Sequence, residues 1–403
     1  MKGFAIFPAL LVLLFASGCS TFGGAFNGQP EDLAKISPDA RALINKAYAD
    51  IADGEAMDYH IHIAGLGKGG TGAYVNPSMQ TLLHPIDYFQ FSIYKSSSGI
   101  TDPDNADAQF VARLLRLIKG IPDPGKFRIL AFDKYYNEQG KPVESKTELY
   151  TPNRYVMDLA MQYPDIFLPT ISVHPYRKDA VERLDYWAKR GARLIKWLPN
   201  AMGIDPSSPV LDSYYDAVKR NKMVIHSHVG EEQAVEAEED QKYGNPLLFR
   251  RALDRGVKVI MAHVGSLGTN VDLDDPDQKE VSNFELFLRL MDEKKYEGLL
   301  FGEISGITQI NRFAGTLATM IERKDLHSRL VNGSDYPIPA INAVIWTSSL
   351  ASEEFITARE RQLLNEIYDI NPLLFDFVLK RTLRHPDSGN QFPSEVFLNH
   401  PDL

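Results

Sequence analysis

The chain has little of several features that mark common protein classes. It contains one cysteine, Cys19, in 403 residues, which excludes a disulfide within the chain and a metal site built from several thiolates. Its longest apolar run near the N-terminus, residues 4–15, is too short to span a bilayer comfortably. Lysine and arginine are not clustered, and 43 of them against 53 acidic residues give a net charge of −10. These features argue against nucleic acid as a partner and against a basic membrane-binding surface.

The N-terminus has the order of features of a targeting segment. Lys2 supplies a positive charge, residues 4–15 are apolar, and Cys19 follows the small residues 16–18. This order resembles a bacterial lipoprotein signal peptide, which is removed before a cysteine that then carries lipid. The resemblance implies that residues 1–18 are cleaved off and that Cys19 is lipidated.

The same resemblance implies a location in the bacterial cell envelope. Serine rather than aspartate follows the cysteine, which indicates the outer membrane, on the side that faces the periplasm. Residues 19–36 then form a flexible tether. We expect the membrane to be contacted only through this anchor, and the partner of the remaining chain to be a small-molecule substrate.

From residue 37 to residue 403, strand-like and helix-like segments alternate and predict a single domain. The eight strand candidates are residues 56–62, 127–132, 166–173, 192–198, 222–228, 257–263, 298–304 and 329–334. Several of the helical segments between them begin with a capping residue followed by proline and end before glycine. Eight alternating units predict an α/β fold, a (β/α)8 TIM barrel, with a long insertion after the first strand and helices at the C-terminus.

A doubly wound open sheet is the alternative fold for such an alternation. It requires a glycine-rich phosphate-binding turn between its first strand and its first helix. Residues 65–72 are rich in glycine, but no helix start follows them and no lysine has the spacing of a Walker motif. We therefore interpret residues 65–72 as a mobile loop over the pocket of a barrel.

Polar side chains are concentrated where the predicted strands end. In a (β/α)8 barrel these C-terminal strand ends form the active site. Six of the ten histidines lie there. The residues concerned are, in chain order, His60 and His62, His174, Lys196, His226 and His228, His263, Glu303 and Asp335. Residues two apart on a strand point to the same side, so His60 and His62 predict one half of a metal site.

This order of residues resembles the amidohydrolase superfamily of metal-dependent hydrolases, and within it the amidohydrolase-related (type 2) group. The stretches that carry the resemblance are DYHIH at 58–62, LIKWLP at 194–199, HVGEE at 228–232, VIMAHVGS at 259–266, NGSDYP at 332–337 and NPLLFDF at 371–377. They extend over nearly the whole of the predicted domain.

The resemblance implies that His60, His62 and Asp335 bind a divalent metal, with zinc expected. Such a cation lowers the pKa of a bound water from about 15.7 to about 7, and Asp335 would remove the proton as general base. The implied reaction is hydrolysis of an ester, lactone, amide or phosphoester bond. The alternative within the superfamily is a metal-dependent non-oxidative decarboxylase or hydratase, in which the metal polarises the substrate.

Two histidines of the fifth strand compete for one role. His228 begins a His-x-Gly-Glu stretch that is similar to one in adenosine-deaminase-like members, which favours it as the metal ligand. His226 lies one layer deeper and is interpreted as a hydrogen-bonded core histidine. Glu231 is a candidate proton donor to the leaving group.

Lys196 leaves the number of metal ions open. In one possibility it is carbamylated and bridges two ions, with His228 and His263 on the second. In the other it stays a cation, one ion is held by His60, His62, His228 and Asp335, and His263 orients substrate or water. His174 and Glu303 either contact the substrate or a ligand's second ring nitrogen, or only line the mouth of the barrel.

Overall fold

The computed structural model describes residues 28–235, 237–313 and 315–403. The predicted signal peptide, Cys19 and the first part of the predicted tether lie outside these residues. In the part of the chain that the structure describes, no helix combines the length and the apolar character needed to cross a bilayer.

Eight parallel strands form one sheet in which neighbours in sequence are neighbours in space. They are β1 (Met57–His62), β2 (Lys126–Leu130), β3 (Phe167–Ile171), β4 (Leu194–Trp197), β5 (Val224–His228), β6 (Lys258–Ala262), β7 (Leu300–Glu303) and β8 (Leu330–Val331). Each lies within one of the eight predicted strand segments or differs from it by one residue. The prediction of eight strands is confirmed.

The sheet closes into a barrel between β1 and the chain that follows β8. The N–H of Tyr59 donates to the carbonyl of Asn332 (2.9 Å), the N–H of Asp335 to that of His60 (2.8 Å) and the N–H of His62 to that of Tyr336 (3.0 Å). These bonds place His60, His62 and Asp335 side by side. The (β/α)8 barrel is therefore confirmed.

Helices between the strands surround the barrel. One further helix precedes β1, and three follow β8. They are α1 (Pro38–Tyr48), α2 (Pro85–Ser97), α3 (Ala106–Lys119), α4 (Asn153–Gln162), α5 (Ala180–Ala188), α6 (Pro199–Met202), α7 (Asp212–Arg220), α8 (Arg250–Asp254), α9 (Asn283–Asp292), α10 (Thr316–Glu322), α11 (Thr347–Ser352), α12 (Ala358–Ile370) and α13 (Pro372–Thr382). Apolar residues at positions 110, 114, 117 and 118 of the sequence predict a helix over residues 106–119, and α3 has these bounds. In the sequence, Asn245 followed by Pro246 predicts a helix over residues 246–255, but the structure has a 3₁₀ turn, Pro246–Phe249, followed by the short α8.

The insertion after β1 contains structure that the sequence did not indicate. Within it, α2 forms, and the short strand Tyr74–Val75 pairs with Leu149–Tyr150. The glycine-rich stretch is fastened to the start of α3, because the Asp107 carboxylate accepts hydrogen bonds from the N–H groups of Leu66 and Lys68 (2.6 and 3.3 Å). These bonds hold the loop against the barrel.

The last part of the predicted tether also packs on the barrel. The N–H of Gly28 donates to the carbonyl of Asp369 (2.8 Å), and Glu31 pairs with Arg116 of α3 (2.8 Å). Pro30 and Ile36 are buried. Any free tether is therefore shorter than residues 19–36.

The barrel interior has an apolar floor and a polar upper layer. The floor is formed by seven residues from six of the eight strands: Met57, Tyr59, Leu194, Val224, Ile260, Phe301 and Val331. Lys196 and His226 come next on β4 and β5, where their Cα atoms are register partners. Trp197 points outward and packs against Tyr214 of α7 with ring centroids 5.4 Å apart. The floor leaves the C-terminal end of the barrel as the open end.

Candidate metal centre

His60 is held at the end of β1 by a buried carboxylate. Its Nδ1 donates to Oε2 of Glu303 at 2.9 Å, and both side chains are buried. This bond keeps the proton on Nδ1 and makes Nε2 the ring nitrogen of His60 that carries the lone pair, as second partners of metal-binding histidines commonly do. That lone pair accepts a hydrogen bond from Nζ of Lys196, which a cation bound to Nε2 would replace. Burial, and then the charge of Lys196, hold the pKa of His60 well below its usual range, so the imidazole is neutral.

Asp335 reaches both histidines of β1. Its Oδ1 lies 2.8 Å from Nε2 of His62 and 3.3 Å from Nε2 of His60. Asp335 follows β8 with φ of 61°, a left-handed conformation that aspartate tolerates better than most residues. The closing hydrogen bond from its own N–H to His60 holds it there.

These three side chains suit a divalent cation. Potential ligand atoms of His60, His62 and Asp335 all lie within 4.8 Å of one another. Two imidazole nitrogens and one carboxylate oxygen are a donor set that zinc accepts. His60, His263 and Glu303 form the second such group in the described part of the chain. In that second group Glu303 is already engaged with the Nδ1 atom of His60.

Glu303 organises the polar layer beneath this ligand set. Besides His60, it accepts from the hydroxyl of Ser305 (2.8 Å) and from the N–H of the same serine. Burial acts to raise the pKa of Glu303, but His226 and His263 outweigh it and bring the pKa to about 2. The carboxylate is therefore ionised. Of the two possibilities for Glu303, the structure shows contact with the second ring nitrogen of a candidate ligand, Nδ1 of His60.

Lys196 is fully buried and contacts the same layer. Its Nζ donates to Nε2 of His60 at 3.0 Å. Burial lowers the pKa of Lys196 to about 8, although Asp335, Glu303 and Glu232 oppose the shift. A lysine with such a pKa carries a substantial neutral fraction in mildly basic solution, which is the form that a carbamylation would require.

The two histidines of β5 occupy different environments. His228 lines the cavity, with Nδ1 3.4 Å from Oε2 of Glu232 and Nε2 3.3 Å from the carbonyl of Glu231. His226 is buried below it, and neither of its ring nitrogens has a hydrogen-bond partner. Nε2 of His226 lies 3.8 Å from Oε2 of Glu303, beyond hydrogen-bond distance, so the prediction of a hydrogen-bonded His226 is wrong.

His263 follows β6 and lies beside His228. Its Nδ1 donates to the carbonyl of Ser305 at 3.2 Å and lies 2.8 Å from the hydroxyl of that residue. The rings of His263 and His228 have centroids 5.1 Å apart. Burial, followed by the charge of Arg312, lowers the pKa of both histidines well below the usual range.

The carboxylate that faces the site next to His228 belongs to Glu232. Its Oε1 accepts from the N–H groups of Ala234 and Val235 at 2.5 and 3.2 Å. Glu231 does not line the cavity, and its Oε1 accepts from the side chain of Gln233 at 2.9 Å. Position therefore gives no support to Glu231 as the proton donor.

His174 lies outside the site. Its Nε2 donates to the carbonyl of Met202 (2.7 Å), and its Nδ1 accepts from the N–H of Tyr176 (3.2 Å). Burial lowers the pKa of His174 to about 3. His174 therefore fits neither possibility: it does not line the cavity, and its ring is bonded to backbone groups.

A cavity of about 290 Å³ opens above the candidate ligands. His60, His62, Lys196, His228, Glu232, His263, Arg312 and Asp335 contribute polar groups to its wall. The remaining lining is mainly apolar and comes from the insertion, from residues after β2 and from the segment after Asp335. A small molecule in this cavity would lie directly over the ligand set.

The family of the chain follows from a comparison of its sequence with known families. The model of the Amidohydrolase family matches residues 58–340, well over half of the chain and all eight strands from Asp58 of β1 onward. This chain belongs to the amidohydrolase family. It is accordingly an enzyme of a metal-dependent superfamily. No curated protein matches it.

Solved structures resemble this amidohydrolase at low identity. An uncharacterized TIM-barrel protein from Bordetella bronchiseptica is 16% identical and has a TM-score of 0.48, with 77% of this chain and 98% of that chain covered. A candidate 2-pyrone-4,6-dicarboxylic acid hydrolase from Pseudomonas putida is 16% identical and has a TM-score of 0.42, with 80% of this chain and 98% of that chain covered. The 5-carboxyvanillate decarboxylase from Sphingomonas paucimobilis is 10% identical and has a TM-score of 0.43, with 86% of this chain and 100% of that chain covered. These reactions are properties of those proteins alone.

Two residues that shape the site of this amidohydrolase, Asp58 and Gly333, were not among the predicted site residues. Asp58 accepts from the N–H groups of His60 and Ser334 (2.9 and 3.0 Å) and so joins β1 to the Asp335 turn. Gly333 packs so closely on His60 that a Cβ there would lie 2.7 Å from the Cβ of His60. Asp58 and Gly333 occur in the stretches that carry the resemblance, and that was the available signal.

The C-terminal helix α13 supports the same turn from outside the barrel. Lys380 Nζ donates to the carbonyl of Gly333 and to Oδ2 of Asp376, both at 2.7 Å, and the pair is buried. Burial raises the pKa of Asp376 to about 6 despite the charge of Lys380. The helix therefore fixes the backbone that presents Asp335.

Proposed function

We propose that this amidohydrolase is a hydrolase that uses a divalent cation, with zinc expected, to cleave an ester, lactone, amide or phosphoester bond of a small molecule. The observation that carries the proposal is the convergence of His60, His62 and Asp335 under one cavity, with ligand atoms within 4.8 Å. Without a cation, the Asp335 carboxylate and the neutral, buried His60 would meet at a cost in desolvation.

The chain's own residues would divide the work as follows. His60 and His62 would hold the cation, and Glu303 would keep Nδ1 of His60 protonated so that its Nε2 stays a donor of electrons. When bound, the cation would lower the pKa of a water molecule and polarise the scissile group. Asp335, 2.8 Å from His62, would accept the proton of the attacking water.

We infer a single cation at this site. Arg312 is a buried cation whose charge acts on both His228 and His263, and it would disfavour a second divalent ion between them. His228 is also absent from the two groups of close ligand atoms found among the described residues. The alternative, a carbamylated Lys196 that bridges two ions with His228 and His263, predicts twice the metal content.

We further propose that the mature protein acts from a lipid anchor on Cys19, at the bacterial outer membrane facing the periplasm. The support is the sequence order of residues 1–20 alone. Radiolabelled palmitate on the wild-type protein and its loss in Cys19→Ala would test the anchor.

A substrate panel tests the reaction. Metal-loaded protein would be assayed with lactones, carboxylic esters, amides and phosphotriesters for hydrolysis, and with aromatic carboxylates for release of CO₂. We expect hydrolysis that a chelator abolishes and added zinc restores. Metal-dependent CO₂ release without hydrolysis would replace the proposal by a decarboxylase. No metal-dependent turnover on any class would refute it.

A further inference from the structure

Arg312 is a buried cation in the cavity wall that the proposed metal site does not use. It lies on the segment after β7 and is 9% exposed, and it lines the cavity together with His228 and His263. Among the described residues its guanidinium has no ion-pair partner. Its hydrogen bonds run to two neutral acceptors, from Nε to Oε1 of Gln309 (3.2 Å) and from Nη1 to Oγ of Ser266 (3.3 Å).

A guanidinium in this position costs free energy in the absence of an anion. Removing such a charge from water is expensive unless hydrogen bonds and an opposite charge compensate for it. Glu232 and Asp335 are the carboxylates whose charges act on Arg312 most strongly, but neither reaches ion-pair distance. The Nη2 group has no hydrogen-bond partner in the described part of the chain and remains available to a ligand in the cavity.

A second cation, which is only partly buried, lines the same cavity. Lys95 of α2 lies over the ring of Phe91, with Nζ 5.1 Å from the centroid, and it also has no ion pair among the described residues. Cations without partners at two places on one cavity wall favour a negatively charged occupant.

The remaining lining describes the other part of such an occupant. The apolar part of the cavity wall includes Phe91, Phe110, Phe132, Leu149, Ile338 and Ile341, and Phe132 stacks on His62. Ligand cavities commonly combine an apolar wall with a few polar groups that fix orientation. An occupant that satisfies both regions carries an apolar body and one anionic group.

We propose that Arg312 binds a carboxylate of the substrate, and that the substrate class is carboxylates with an apolar aliphatic or aromatic body. This inference rests on the proposed function and names its substrate class. A carboxylate has two oxygens in one plane, which match the planar donors of a guanidinium. A phosphate monoester has about two negative charges and three acceptor oxygens, which one guanidinium does not satisfy.

The test measures binding of matched probes rather than turnover. The probes are 4-phenylbutyrate and 4-phenylbutanol, which share the apolar body and differ in the anionic group; octanoate and octanol form a second pair. Calorimetric titration of the mature protein, metal-free and metal-loaded, gives the ratio of affinities within each pair. We expect each carboxylate to bind about tenfold more tightly than its alcohol, since hydrogen bonds to charged groups are of that strength.

Variants assign the preference to Arg312. Arg312→Gln should lower carboxylate affinity to that of the alcohol and leave alcohol affinity unchanged. Arg312→Lys, which keeps the charge without the planar donors, should retain part of the preference and serves if the glutamine variant does not fold. Arg190→Gln removes an equal charge from the exposed α5 end and should change nothing.

The outcomes separate this inference from the proposed function. Carboxylate preference that persists in metal-free protein and disappears in Arg312→Gln supports the inference, even if no hydrolysis is found. Preference that requires the metal and is unchanged in Arg312→Gln places the carboxylate on the cation and overturns the inference, while leaving the hydrolase proposal standing. Equal affinities within both probe pairs in the wild type overturn it as well.

Discussion

Nδ1 of His60 and Oε2 of Glu303 lie 2.9 Å apart in the interior of the barrel, and neither side chain is more than 1% exposed. The two residues are 243 positions apart in the sequence and lie on strands β1 and β7. Because the carboxylate takes the Nδ1 proton, His60 is restricted to the tautomer whose Nε2 can bind a cation.

Glu303→Gln should therefore weaken metal binding without changing the fold. It keeps the shape of the side chain but removes the charge that favours the Nδ1-protonated ring, and such changes cost about 10- to 100-fold in metal affinity. Competition with a chelator of known affinity measures the effect. Glu297→Gln, an exposed position on the approach to β7, is the control. Equal affinity in both variants would contradict the role assigned to Glu303.

Asp335→Asn should reduce turnover at saturating metal. Replacing a general base removes about 10²- to 10⁴-fold of rate, and the closing hydrogen bond from the backbone N–H of residue 335 to His60 remains. The rate with the best substrate of the panel and the midpoint of thermal unfolding should be measured together. Asp277→Asn, on an exposed loop, should behave as wild type. A nearly unchanged rate would exclude Asp335 as the base.

Gly333→Ala should damage the site more than the fold. The added methyl group would lie 2.7 Å from the Cβ of His60 and closer still to Glu303, and overpacking of this kind costs about 1–3 kcal/mol. Gly298→Ala is a useful comparison, since its Cβ meets nothing within 4 Å but its φ of 75° is strained for alanine. Both variants should lose stability in urea unfolding, while metal affinity should fall in Gly333→Ala alone. A loss in both would mean that stability, not crowding, is responsible.

Lys380→Met should destabilise the protein, because it leaves Asp376 buried without its partner. Breaking a buried pair typically costs about 3–5 kcal/mol, whereas replacing both members by apolar groups is often nearly neutral. Urea unfolding should therefore show that Asp376→Leu combined with Lys380→Met is more stable than Lys380→Met alone. Activity should stay low in both variants, because the carbonyl of Gly333 has lost its donor. A double variant less stable than either single one would contradict this account of the pair.

The barrel and the place of its polar layer could be predicted from the sequence. The eight strands are short apolar runs between well-marked helix ends, and the spacing of His60 and His62 fixes their shared face on β1. Parallel strands of a barrel bring their C-terminal ends together, so distant residues such as Asp335 could be assigned to one site without contact information.

The segments outside the strands could not be predicted in the same way. No periodicity indicates which of two adjacent glutamates turns inward after β5, and it is Glu232 whose backbone contacts direct it toward His228. The helix α2 and the strand pair at Tyr74–Val75 depend on tertiary contacts of the insertion. Arg312 follows β7 in a segment without a motif, and its burial is visible only in the fold.

The most direct test of the metal centre is the metal content of the purified mature protein, determined by elemental analysis beside a His60→Ala/His62→Ala variant. His84→Ala, an exposed position in the insertion, is the control for loss of a histidine. The structure predicts one divalent ion per chain in the wild type and the control, and close to none in the double variant. A wild type that takes up no ion when zinc is supplied, or a double variant that keeps its ion, would contradict the assignment of His60, His62 and Asp335 as the site.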